Sequence, residues 1–138
     1  MSLESLLVTL HVIANLFWIG SSVTVGFLLV LPEPGLQLRG QLARLVYRRL
    51  ATPAFALSFV TALSRLALSP SYYFVATRFM HAKLLLALGA IALHHVLGAR
   101  SRRAERGETS AAAGVSWMTA LLAVLSAGAA WFALTKPF

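Results

Sequence analysis

Four histidines, one lysine at membrane depth and the absence of cysteine and aspartate set the chemistry open to this chain. His11 lies in the first long apolar run, and His81, Lys83, His94 and His95 lie in the third. An ionisable side chain inside a bilayer is costly, so each is a candidate for function. His11, Asn15, Trp18 and Ser22 recur at i, i+4, i+7 and i+11, which puts one polar and aromatic stripe on a single helix face. Two readings of that stripe stand: hydrogen bonding to a neighbouring helix, or a ligand site. His81 favours the second. With the first and third runs starting from the same side, His11 and His81 fall in the same half of the bilayer, about one turn or ~5 Å apart in depth. Two neutral imidazoles from different helices at comparable depth are what axial ligation of a b-type haem needs, and such a site uses no cysteine.

The remaining groups are read around that pair. Arg78 stands one turn outward of His81, where it would pair with a propionate or snorkel to the interface. His95 follows His81 at about 320° around the helix and ~21 Å along it. The first run carries no histidine at that level, so one haem per chain is expected. His94 or His95 would then serve proton transfer or hydrogen bonding. Lys83 is about 200° from His81 and about 20° from His94, so a different cavity is open to it. An anionic substrate group or a proton relay would account for its ammonium there, as would snorkelling. Met80 and His81, with His11, also suit Cu(I), although with three methionines a methionine-rich copper path is absent. Lack of cysteine excludes iron–sulfur clusters, thiolate metal sites, c-type haem attachment and disulfides. Lack of aspartate excludes a Ser/His/Asp triad.

Holding these residues requires a bilayer. Of 138 residues, 59% are hydrophobic and 12% charged, with a mean hydropathy of +0.78; soluble domains average roughly 25% charged. Since each crossing takes ~20 residues, the expectation is one all-α domain over 1–138, a bundle of four transmembrane helices at about 3–31, 38–68, 72–99 and 110–134. Leu31-Pro32-Glu33-Pro34-Gly35 and Ser69-Pro70-Ser71 are the turn signals, and Pro53 should kink the second span. Met1-Ser2-Leu3-Glu4 lacks the basic region of a secretory leader, so the first span is expected to be retained. Small-residue stripes at Ser22 and Gly26, and at Ser116, Ala120, Ala123 and Ala127, should let helices approach closely.

The net charge of +8 reflects topology and anionic headgroups rather than nucleic acid. Arg39, Arg44, Arg48 and Arg49, then Arg100, Arg102, Arg103 and Arg106, flank one side of the spans, against Arg65, Arg78 and Lys136 on the other. By the positive-inside rule both termini lie outside.

Several segments resemble one family. Leu10-His11-Val12-Ile13-Ala14 followed by Phe17-Trp18-Ile19-Gly20 is similar to the first-helix signature shared by HemJ-type protoporphyrinogen IX oxidases and CopD copper-resistance proteins. Tyr47-Arg48-Arg49-Leu50-Ala51-Thr52-Pro53-Ala54 resembles the opening of the HemJ second helix. Phe79-Met80-His81-Ala82-Lys83-Leu84 resembles its third-helix motif, with Phe79 where tryptophan is usual. His94-His95 and the ending Lys136-Pro137-Phe138 fit as well. The resemblance implies a haem b-binding enzyme of a bacterial inner membrane that oxidises protoporphyrinogen IX to protoporphyrin IX and passes electrons to a quinone or another respiratory carrier. It implies His11 and His81 as haem or active-site histidines and Trp18 and Lys83 as further site residues. On this reading Asn15 and Arg78 assist cofactor binding and His95 joins Lys83 and Trp18 in catalysis. A CopD-like copper carrier and a cytochrome b that only relays electrons are the alternatives. Self-association into a homo-oligomer is compatible with all three.

Overall fold

A computed structural model describes residues 2–76 and 79–136. Five helices follow one another: α1 (Leu3–Val30), α2 (Leu36–Val46), α3 (Thr52–Leu68), α4 (Phe79–Glu105) and α5 (Val115–Thr135). No strand occurs among the described residues. A π-helical turn, Tyr47–Ala51, joins α2 and α3 into one rod. Four rods are therefore long and apolar enough to cross a bilayer: Leu3–Val30, Leu36–Leu68, Phe79–Glu105 and Thr109–Thr135. The chain is an all-α, multi-pass membrane protein. Its outer faces are those of a lipid-solvated bundle, with Leu16 70%, Leu85 72% and Leu134 83% exposed, a degree of apolar exposure that water would penalise.

The π-helical turn in the second span has a local cause. Pro53 offers no N–H, and its ring crowds the carbonyl one turn back. The helix responds just before the proline by taking up an extra residue: the Thr52 N–H and Oγ1 both donate to the Tyr47 carbonyl, the hydroxyl at 2.9 Å. Such π-bulges redirect a helix. On the two sides of this turn the partners differ: α2 packs on α4 and α1, whereas α3 packs on α1. α5 completes the bundle against α4 and α1.

The third span differs most from expectation. Helix α4 is described from Phe79, Tyr72–Ala76 forms a separate π-helical turn, and the helix continues through Glu105 instead of ending near Ala99. Polarity alone does not stop a helix, and Arg100 to Glu105 contains good helix formers. Gly107 stops it. At φ +79° its N–H donates to the Ala104 carbonyl at 2.8 Å while the Glu108 N–H reaches the Arg103 carbonyl at 3.1 Å, a Schellman closure that favours glycine.

Glu108 then pairs with Arg103 at 2.6 Å and Arg106 at 2.7 Å. Hydrogen bonds from Arg103, then Arg106, hold its carboxyl below the usual carboxylate range. Its contribution is complete above the unfolded carboxylate value and disappears as pH falls through the lower folded value. Amide exchange in residues 103–111 should therefore accelerate on acidification, and Glu108→Gln should show that faster exchange already at neutral pH. The effect on global stability should be small, because the group is solvent-exposed.

Close helix contacts depend on missing side chains. Val25, Leu29, Leu97 and Leu122 are fully buried, and Ser22 and Gly26 lie on the buried face of α1. A Cβ on Gly26 would strike the Thr119 side chain. The stripe expected on the fourth span faces the other way: Ser116, Ala120, Ala123 and Ala127 are exposed. α5 packs instead through Val115, Thr119 and Leu122. Small size permits close approach on any face without choosing it, and bulk does not choose it either, since Val124 and Leu134 lie exposed on the same helix.

Candidate functional site

The α1 stripe points into the bundle, where it builds two polar centres rather than one. Nearer the chain's start, His11 Nδ1 lies 3.0 Å from the Ser58 carbonyl and 3.2 Å from Thr61 Oγ1. A carbonyl only accepts, so Nδ1 carries the proton and Nε2 the lone pair. Asn15 Nδ2 donates to that Nε2 at 3.0 Å and to the His11 carbonyl at 2.9 Å. Ser58 Oγ donates to Asn15 Oδ1 at 3.0 Å, which fixes the amide's orientation. Every donor meets an acceptor, giving a closed network between α1 and α3. Lys83 and Arg65 lie close enough to act on His11 electrostatically. Arg65 Nη2 donates to the Tyr73 hydroxyl at 2.6 Å.

Toward the arginine-rich end, His94 is wholly buried in an aromatic box. Its ring stacks on Tyr47 at 4.8 Å, meets Phe55 at 5.1 Å and takes Trp18 edge-on at 5.8 Å. Nδ1 pairs with Ser22 Oγ at 3.1 Å, while His94 Nε2 and Trp18 Nε1 have no hydrogen-bond partner among the described residues. Outside the box lies a cavity of about 410 Å³ lined by Arg44, Arg48, Arg102, Tyr47, His95 and Gly98.

The expected site residues thus divide. His11 and Asn15 act together, and Trp18 belongs with His94 instead. Lys83 is half-buried on the inward side of α4, as its 20° offset from His94 implies. His81 is exposed, with its ring beside Phe74 at 6.4 Å, and among the described residues no hydrogen bond or ring contact joins it to His11. Met80 is buried with Tyr73 and Phe79, so it and the exposed His81 point apart despite adjacency in sequence. Of the two neighbouring histidines, His94 is the buried one and His95 faces the cavity. Arg78 lies outside the described residues. Among the described residues no group of three or more His, Asp or Glu side chains could hold a metal ion.

Sequence reasoning missed Ser58, Thr61, Tyr47, Phe55 and the joining of Arg44, Arg48 and Arg102 into one cavity. The hydroxyls at i and i+3 in an otherwise apolar stretch of the second span were the available signal for the first two.

These features define a class: a four-span membrane protein whose interior carries an imidazole–amide–hydroxyl network and, separately, a buried histidine behind an arginine-lined cavity. No particular member of that class is matched, since neither a protein family, nor a curated protein, nor a solved structure shows significant similarity to the chain.

Proposed function

We propose that this protein is a haem b-binding membrane oxidoreductase that oxidises protoporphyrinogen IX to protoporphyrin IX and passes the electrons to a membrane carrier such as a quinone. The observation that carries the reading is the state of His11. An imidazole whose Nδ1–H is spent on a main-chain carbonyl, with its Nε2 lone pair turned away, has the tautomer and orientation that metal-ligating histidines commonly have. His11 would be the residue that holds the haem iron, once the Asn15 amide yields Nε2. His81, exposed beside Phe74, would be the candidate for a second ligand. Haem b, when bound, supplies the electron acceptor that these side chains lack.

The chain's own residues would do the rest. Lys83, half-buried at the depth of His11, would accept a proton released from the substrate. The Ser58 carbonyl and the Thr61 hydroxyl would keep the His11 ring from rotating through its Nδ1. Trp18 would close the apolar wall between the two polar centres. The arginine-rich end lies on the cytoplasmic side of a bacterial inner membrane and both termini lie outside, by the excess of basic residues there.

The experiment is direct. Protein purified from membranes should show a Soret band and reducible α and β bands, and the gene should restore haem synthesis to a bacterium lacking its own protoporphyrinogen oxidase. Haem without complementation, at good expression, would reduce the reading to electron relay. Stoichiometric copper without a Soret band would overturn it.

A further inference from the structure

We propose that the cavity at the arginine-rich end is a binding site for the oxyanion head, carboxylate or phosphate, of an amphipathic acid dissolved in the membrane. Three arginines from two rods line it: Arg44 and Arg48 from the second span, and Arg102 from α4. None is paired. The ion pairs among the described residues are Arg103–Glu108 and Arg106–Glu108, and Glu105, which acts on Arg44 electrostatically, forms none. Three like charges around one hollow repel one another unless an anion joins them, and guanidinium forks match carboxylate and phosphate oxygens.

The hollow is also shaped, which separates it from a loose patch of surface arginines. Its floor is the Tyr47 ring, which lies so tightly on Gly98 that a Cβ there would strike it. Arg44 sits over the same ring at 5.6 Å. The same ring stacks on His94, whose buried Nε2 has no hydrogen-bond partner among the described residues. A second ring nitrogen source, His95, faces the cavity itself. Cationic rim, aromatic floor and position at the end of the spans suit a molecule with a charged head and an apolar body. At this level α3 and α4 meet through bulky rings, with Phe55 against both histidines, so the apolar body would lie along that seam.

A porphyrin propionate and an anionic phospholipid headgroup both meet this description. Using a porphyrin as probe rests on the function proposed above; the site itself does not. The test uses the full-length protein in phosphatidylcholine nanodiscs. Protoporphyrin IX is titrated by fluorescence, against its dimethyl ester and against discs containing phosphatidylglycerol. The expected result is saturable binding of the diacid but not the ester, weakened about tenfold or more by each of Arg44→Gln, Arg48→Gln and Arg102→Gln, and partly restored by the corresponding lysine variants. Arg49→Gln removes the same charge from outside the cavity and should change little. If phosphatidylglycerol displaces the diacid, or binds alone with the same arginine dependence, the site is confirmed with a lipid as its ligand. Two results would overturn it: no arginine-dependent binding of either anion, or Arg49→Gln acting as strongly as Arg48→Gln. Protein without a Soret band that still binds the diacid through these arginines would fail the haem reading and leave this site standing.

Discussion

Gly40→Ala should loosen the arginine-rich end of the bundle and lower the unfolding temperature sharply. A Cβ at Gly40 would meet the main chain of α4: the Ala104 carbonyl carbon, the Glu105 nitrogen and, at 2.7 Å, the Glu105 Cα. Two effects oppose each other. Alanine is the better helix former by about 0.5–1 kcal/mol. Overpacking costs about 1–3 kcal/mol even where side chains can shift, and a helix backbone cannot rotate aside. The rigid backbone puts the clash at the upper end of that range, leaving a net loss of about 2 kcal/mol. Gly20→Ala is the matched control, since nothing lies within 4 Å of its added carbon; propensity alone should leave that variant as stable as the parent or slightly more so. Thermal unfolding of both in the same detergent decides the matter, and equal midpoints would mean that α2 and α4 do not approach as closely as described. Because Arg44 and Arg102 sit on these two helices, Gly40→Ala should also weaken anion binding at the cavity.

The contrast between Gly40 and Gly20 shows what a sequence of this kind discloses. The number of spans follows from hydropathy, since only ~20-residue apolar stretches cross a bilayer, and Pro53 announces an irregularity because its ring forbids a regular turn. The inward face of α1 was readable as well: polar groups at helical spacing in an apolar helix have nowhere cheaper to go than the bundle's interior. Which helix receives them was not readable. His11 meets Ser58 and Thr61 on α3 rather than His81 on α4, because pairing depends on how each span is rotated about its axis. In lipid, the apolar faces that fix rotation in water carry no signal. The outward stripe of Ser116, Ala120, Ala123 and Ala127 is the same limit seen from the other side. Gly40 and Gly98 were equally silent, since a glycine in a helix looks like a weakness until its neighbour is placed.

His11→Ala should abolish the haem spectrum without unfolding the protein. The network around His11 is redundant enough to survive the loss. Thr61 Oγ1 still donates to the Leu57 and Ser58 carbonyls at 2.8 and 2.9 Å, Ser58 Oγ still reaches Asn15, and Asn15 still holds the residue-11 carbonyl. The Asn15 N–H that met Nε2 loses its acceptor, so the cost should be that of the lost hydrogen bonds, one unmatched amide N–H and a small cavity, about 2–3 kcal/mol, visible as a fall in unfolding temperature. An absent Soret band in a protein that still elutes as a single species would therefore report a missing ligand. His81→Ala then assigns the other face of the iron. A low-spin parent spectrum that turns high-spin in this variant means that α4 brings His81 to the metal on binding, whereas an unchanged spectrum leaves His81 as a lipid-facing residue. Haem retained in His11→Ala and lost in His81→Ala would reverse the assignment and refute the role given to His11. Asn15→Ala supplies the remaining discrimination: with the amide gone, Nε2 is uncovered, so haem should load at least as readily as in the parent if His11 is the ligand.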